Sequence, residues 1–182
     1  MAERSSLYAK IFIDKTSRDT FLGSEIQSPS NYTDWLSWLE GRKMYGDGFT
    51  QDKIDNYEYF TTSVSGYLKD WLVHPDEPGN GFSEFDRTKG IWTLSIMQFA
   101  ENYSAFLGFL NVLRSVDRLT KKEEHSFILI HNFLFAGNES DTVVEITDQK
   151  SKILPSIPGQ YLQEAITHLQ HRIDYEEGYE DW

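Results

Sequence analysis

Hydrophobic positions recur along this chain with two different periods, and the switches between them predict its elements. Residues 7–14 alternate Tyr8, Lys10 and Phe12 with Ala9, Ile11 and Ile13, the two-residue period of a strand that is apolar on both faces at its centre. Residues 16–19 can start a short helix, which Gly23 stops. After Pro29-Ser30-Asn31 the period lengthens: Tyr32, Trp35, Leu36 and Leu39 share one helical face and Gly41 follows as a breaker, so a helix is expected up to Glu40. Residues 46–56 are acidic and turn-rich. Between 57 and 73, rings alternate with hydroxyls, which predicts β structure.

The stretch 74–81 carries two prolines and two glycines between apolar runs and is the strongest loop signal in the chain. Beyond it a strand is expected over 91–99. Asn102 then caps a helix whose Phe106, Leu107, Leu110, Leu113 and Val116 form a broad apolar stripe. Residues 127–135 read as a central strand buried on both faces and 142–146 as another, while Pro155 demotes 152–157 to an edge. Pro158 opens a last helix with Leu162, Ala165, Ile166, Leu169 and Ile173 on one face. The order β-α-β-β-α from Ile91 onward predicts an α+β fold, with a mixed or mainly antiparallel sheet and helices packed on one side. One domain over 1–173 is expected, with a possible lobe boundary near 74–89. Spacing leaves open whether the first half adds strands to the same sheet.

Composition changes this picture in three ways. The chain has 182 residues, 39% of them hydrophobic, enough for a substantial core. It has no cysteine, which excludes disulfides, thiolate nucleophiles and sulfur-ligated metal sites. Neither an apolar signal core nor a run of membrane-spanning length is present, so no membrane association is expected and a cytoplasmic location is.

Charge is the most distinctive property. There are 29 acidic against 17 basic residues, a net charge of -12. Before Gly90 the chain holds 10 basic and 15 acidic residues and after it 7 and 14, so no basic stripe exists for nucleic acid and no direct nucleic-acid binding is expected. The segment 174–182 carries five acids and no base, and it interleaves them with Tyr175, Tyr179 and Trp182. An acidic tail of this kind is commonly a solvated end, but large rings suit contact with a partner.

Motifs for chemistry are missing. There is no phosphate-cradling glycine loop and no nucleophile elbow. His168 and His171 lie three apart on the last helix with Glu164 one turn earlier, two neutral ligands without a specified third. His125 and His131 are too far apart on a strand to share an ion. No metal or cofactor, and no catalytic residue, is expected. Asp47, Asp52 and Asp55 cluster before Tyr57, but Phe49 and Gln51 stand where a calcium loop needs oxygen ligands.

A small acidic α+β chain rich in rings, without cysteine or catalytic signature, resembles the immunity proteins of bacterial toxin systems in composition and element order. No motif is shared residue by residue, so no functional position carries over. The resemblance implies a basic protein partner, a cognate toxin or nuclease, neutralised by covering its active site. The surface expected to carry this is Tyr45, Asp47, Asp52, Asp55 and Tyr57, together with Tyr175, Glu176, Glu177, Tyr179, Glu180, Asp181 and Trp182 in the tail. A phage-encoded inhibitor of a host nuclease has the same features. The competing classes are an enzyme with a cleft site assembled from scattered polar residues and a module that binds a peptide at its sheet edge.

Overall fold

The computed structural model describes residues 5–40, 50–72, 81–100, 102–133 and 140–177, with the side chains at 140, 141 and 173–177 left out. In chain order the elements are β1 (Ser5–Phe12), α1 (Lys15–Leu22), α2 (Trp35–Glu40), α3 (Gln51–Asp55), α4 (Val64–Leu72), β2 (Gly81–Asp86), β3 (Ile91–Ala100), α5 (Tyr103–Arg114), β4 (Ser126–His131), β5 (Ser140–Thr147), β6 (Lys150–Ile153) and α6 (Gly159–Glu177). Short 3-10 turns lie at Pro29–Asn31 and Asp117–Leu119.

Six strands form one antiparallel sheet in the order β2-β3-β1-β4-β5-β6. The α+β expectation therefore holds, and the first half of the chain shares the sheet of the second. β1 lies inside the sheet, between β3 and β4. Its side chains alternate between two cores, as a strand's period of two requires. Leu7, Ala9 and Ile11 join Leu94, Ile128, Ile130, Val144 and Ile146 against α1–α5. Tyr8 turns the other way, with Phe127, Leu129 and Val143, against Tyr161 and Ala165 of α6. Helices α1–α5 thus take one side and α6 the opposite one, which corrects the expectation of helices packed on a single side, because strands apolar on both faces need cover on both.

Local sequence explains most boundaries. The Asp14 carboxylate accepts from Ser17 N at 2.9 Å and caps α1, while Asn102 Oδ1 accepts from Ala105 N at 2.8 Å and caps α5. Gly90, at φ 64°, closes the turn between β2 and β3 with its N–H on Asp86 O at 2.8 Å. The expectation of β structure over 57–73 is corrected: only an isolated bridge between Glu25 and Ser63 forms there, and α4 follows. Val64, Tyr67, Leu68 and Trp71 recur at helical spacing, and the first three are buried, so this apolar stripe outweighs the ring-and-hydroxyl alternation. β2 begins inside the stretch read as a loop boundary. α6 continues to Glu177 and so takes in the start of the acidic segment. No helix among the described residues is long and apolar enough to cross a membrane.

Candidate functional site

Thr50 caps α3 through its Oγ1, which accepts from Lys53 N at 3.3 Å, and Ile54 anchors the short helix with no exposed surface. This geometry turns Asp52 and Asp55 outward. Asp52 accepts from Asn56 Nδ2 at 3.1 Å and Asp55 from Gln51 Nε2 at 2.7 Å, so each retains acceptor capacity toward solvent. Tyr57 is half-buried: its hydroxyl donates to Ser104 O at 2.9 Å and its ring meets that of Tyr59 edge-on at 4.8 Å. Burial raises the Tyr57 pKa.

Apolar exposure passes to a residue the sequence reading did not single out. Phe60 is 64% exposed, the largest exposure of a big apolar side chain among the described residues. Its inner face stacks on Tyr67 at 5.1 Å with 20° between the planes. Tyr67 is buried and in turn contacts Tyr59 at 5.5 Å and Phe109 at 5.7 Å. A ring held from beneath by a column of packed rings has little freedom left to lose on binding, which suits an anchor. Exposed Glu58 extends the acidic run of Asp52 and Asp55 up to it.

Tyr45, Asp47, Tyr179, Glu180, Asp181 and Trp182 lie outside the described residues. Tyr175, Glu176 and Glu177 occupy the last turn of α6, with side chains outside the description. The structure therefore brings Asp52, Asp55 and Tyr57 together on one short segment.

A second polar cluster lies on the α6 side of the sheet. Tyr8 donates its hydroxyl to Glu164 Oε1 at 3.0 Å, and Lys10 Nζ lies 2.8 Å from the same oxygen. Burial, then the negative charge of Glu164, raises the Tyr8 pKa. The His168 ring packs tilted against that of Tyr8, with 4.9 Å between centroids and 46° between planes, and its Nε2 lies 3.2 Å from Ser95 Oγ. Burial pushes its pKa below the ordinary value, and the nearby Arg172 adds to this. Two separate depressions flank the shared Tyr8 and Glu164, one lined by Thr167, His168 and His171 on the helix side and the other by Lys10, Glu84 and Thr93 on the sheet side. Glu164 is thus occupied by Tyr8 and Lys10, and no group of three or more metal-ligating side chains occurs among the described residues.

A third cluster is structural. Arg114, 1% exposed, sends Nη1 to Asp34 Oδ1 at 2.8 Å and Nη2 to Asp34 Oδ2 at 3.1 Å. Its Cζ sits 3.9 Å from the Tyr32 ring and 4.5 Å from that of Trp35. Burial works to raise the Asp34 pKa, but the hydrogen bonds and charge of Arg114 outweigh it and leave the pKa lowered.

Comparison with known proteins is silent. No family model, curated protein or solved structure matches the chain. The reading of the site therefore rests on its geometry and charge.

Proposed function

We propose that this chain is an acidic binding protein that neutralises a basic partner enzyme by occluding its active site, working in the cytoplasm as an immunity protein does against a toxin such as a nuclease. One observation carries the reading: the exposed, ring-supported Phe60 at the end of the acidic run Asp52, Asp55 and Glu58. Acids steer a basic partner over long range, and a desolvated ring holds it after contact. The net charge of -12 adds to the steering. A phage-encoded inhibitor of a host nuclease would use the same surface. A cleft enzyme is the second reading, and the two depressions beside α6 favour it, because Tyr8 and Glu164 between them contact Lys10 and His168.

The test is to purify the protein from its host with whatever it holds and identify the stoichiometric species. A basic enzyme whose activity the protein blocks supports the proposal. Phe60→Ala should then weaken binding at least about tenfold, roughly 1.4 kcal/mol, without moving the unfolding midpoint. The association rate should fall steeply between about 50 and 500 mM salt. A small molecule in place of a protein, or a partner that remains active when bound, overturns it.

A further inference from the structure

The two edges of the sheet are treated differently. At β6, Leu154 N donates inward to Val143 O at 3.0 Å, so the polar groups of Ser151 and Ile153 face away from β5. Both are met by side chains: Ile153 N donates to Asp34 Oδ2 at 2.9 Å, and Ser151 O accepts from Arg114 Nη2 at 3.2 Å. That edge is short and sealed. β2, at the other edge, is six residues long, pairs with β3 in unbroken register, and contains no proline, lysine or bulge. None of its outward backbone groups is bonded by a described residue.

From this asymmetry we propose that the outer edge of β2 is a docking site for an extended strand of a partner protein that places a basic side chain opposite Glu84. A row of unpaired N–H and C=O groups is itself specific for an extended backbone. The sign of the charge comes from the α6 face of β2. There Glu84 is exposed and enters no ion pair with a described residue, whereas Asp86 already has Lys89 Nζ at 3.5 Å. Arg172 lies over Phe82, 4.3 Å from the ring, so positive charge sits at the start of the strand and the acids follow. On the other face Arg18 is committed to Phe85, Trp92 and Asp19. A second copy is the poorer occupant, because it would bring two Glu84 carboxylates to one short ladder between chains of net charge -12.

The inference shares a basic partner with the proposed function but takes that sign from Glu84 itself, and its test needs no natural partner. The probe is a blocked peptide of about eight residues alternating Lys and Val, beside a fully N-methylated counterpart and one alternating Glu and Val. With the full chain, the Lys–Val peptide should slow amide exchange across residues 81–86 by at least about tenfold, while the N-methylated peptide does not bind. Glu84→Lys should weaken the Lys–Val peptide roughly fivefold and favour the Glu–Val one. Equal binding of the N-methylated peptide, preference of the native protein for Glu–Val, or protection elsewhere overturns the proposal. So does exchange at 81–86 already slowed by the protein's own concentration, which would assign the edge to a second copy. A failure of the basic-partner reading appears separately, in the Phe60 experiment.

Discussion

Arg114 and Asp34, separated by 80 positions in the chain, pair through two parallel hydrogen bonds and together occupy the place that a seventh strand would take beside β6. Their charges neutralise each other, and what remains of their hydrogen-bonding capacity satisfies the Ser151 carbonyl and the Ile153 amide. Asp117 extends the network, since Ser151 Oγ lies 3.1 Å from its Oδ2.

Breaking this pair from one side leaves a buried guanidinium without its counter-charge. Asp34→Ala should therefore cost about 3–5 kcal/mol in urea unfolding. Replacing both partners, as Asp34→Leu with Arg114→Met, should regain at least half of that loss. A single variant that costs less than about 1 kcal/mol would show that the pair contributes little.

Gly108 sits where two tyrosine hydroxyls approach α5. A Cβ there would fall on the Tyr57 hydroxyl and lie 2.9 Å from that of Tyr67. Gly108→Ala should destabilise by about 1–3 kcal/mol through overpacking, and adding Tyr57→Phe should recover part of it. Additive losses in a double-mutant cycle would contradict this contact.

Much of the fold was legible because the relevant signals are local. Asn102 before the stripe of α5, Pro158 before α6, and the unbroken apolar run of β4 all announce themselves within a dozen residues. β2 was missed because an edge strand with Gly81, Ser83, Glu84 and Asp86 has little of the β-branched character that marks inner strands. The Arg114–Asp34 pair has no spacing signature, since its partners meet only in three dimensions. Phe60 was hidden for a related reason: it follows Tyr57 and Tyr59 in a short run of rings, and nothing in that spacing says which ring is buried and which is presented to solvent.

Acid should weaken the fold through two histidines. Burial is the main cause of the lowered pKa of both His168 and His131. Unfolded histidine takes up its proton near pH ~6.5, and these folded ones only at lower pH. In that interval the unfolded chain binds more protons, so stability is complete above about 6.5 and is lost as pH falls through the folded values. The urea midpoint should drop between about pH 7.5 and 5, and less so in His168→Gln. An unchanged midpoint would refute this account.

Leu110 lies mid-stripe on α5 with no exposed surface. Leu110→Ala should cost about 2–5 kcal/mol through lost burial and a residual cavity. Thermal or urea unfolding reads this directly, and a loss below about 0.5 kcal/mol would mean that the site collapses around the smaller side chain.

β1 leaves the ribosome before every other described element, yet its two neighbours in the sheet are β3 and β4, drawn from much later in the chain. The centre of the sheet is therefore closed by contacts of long sequence separation, and no early hairpin can stand in for them. Until β4 emerges, Leu7 and Ala9 of the nascent chain can meet Ile96 and Leu94 of β3 but lack Ile130 and Ile128 on their other side. The centre of the sheet is thus completed only once β4 has been made, and a chain halted before residue 126 has an unfinished middle rather than a missing end.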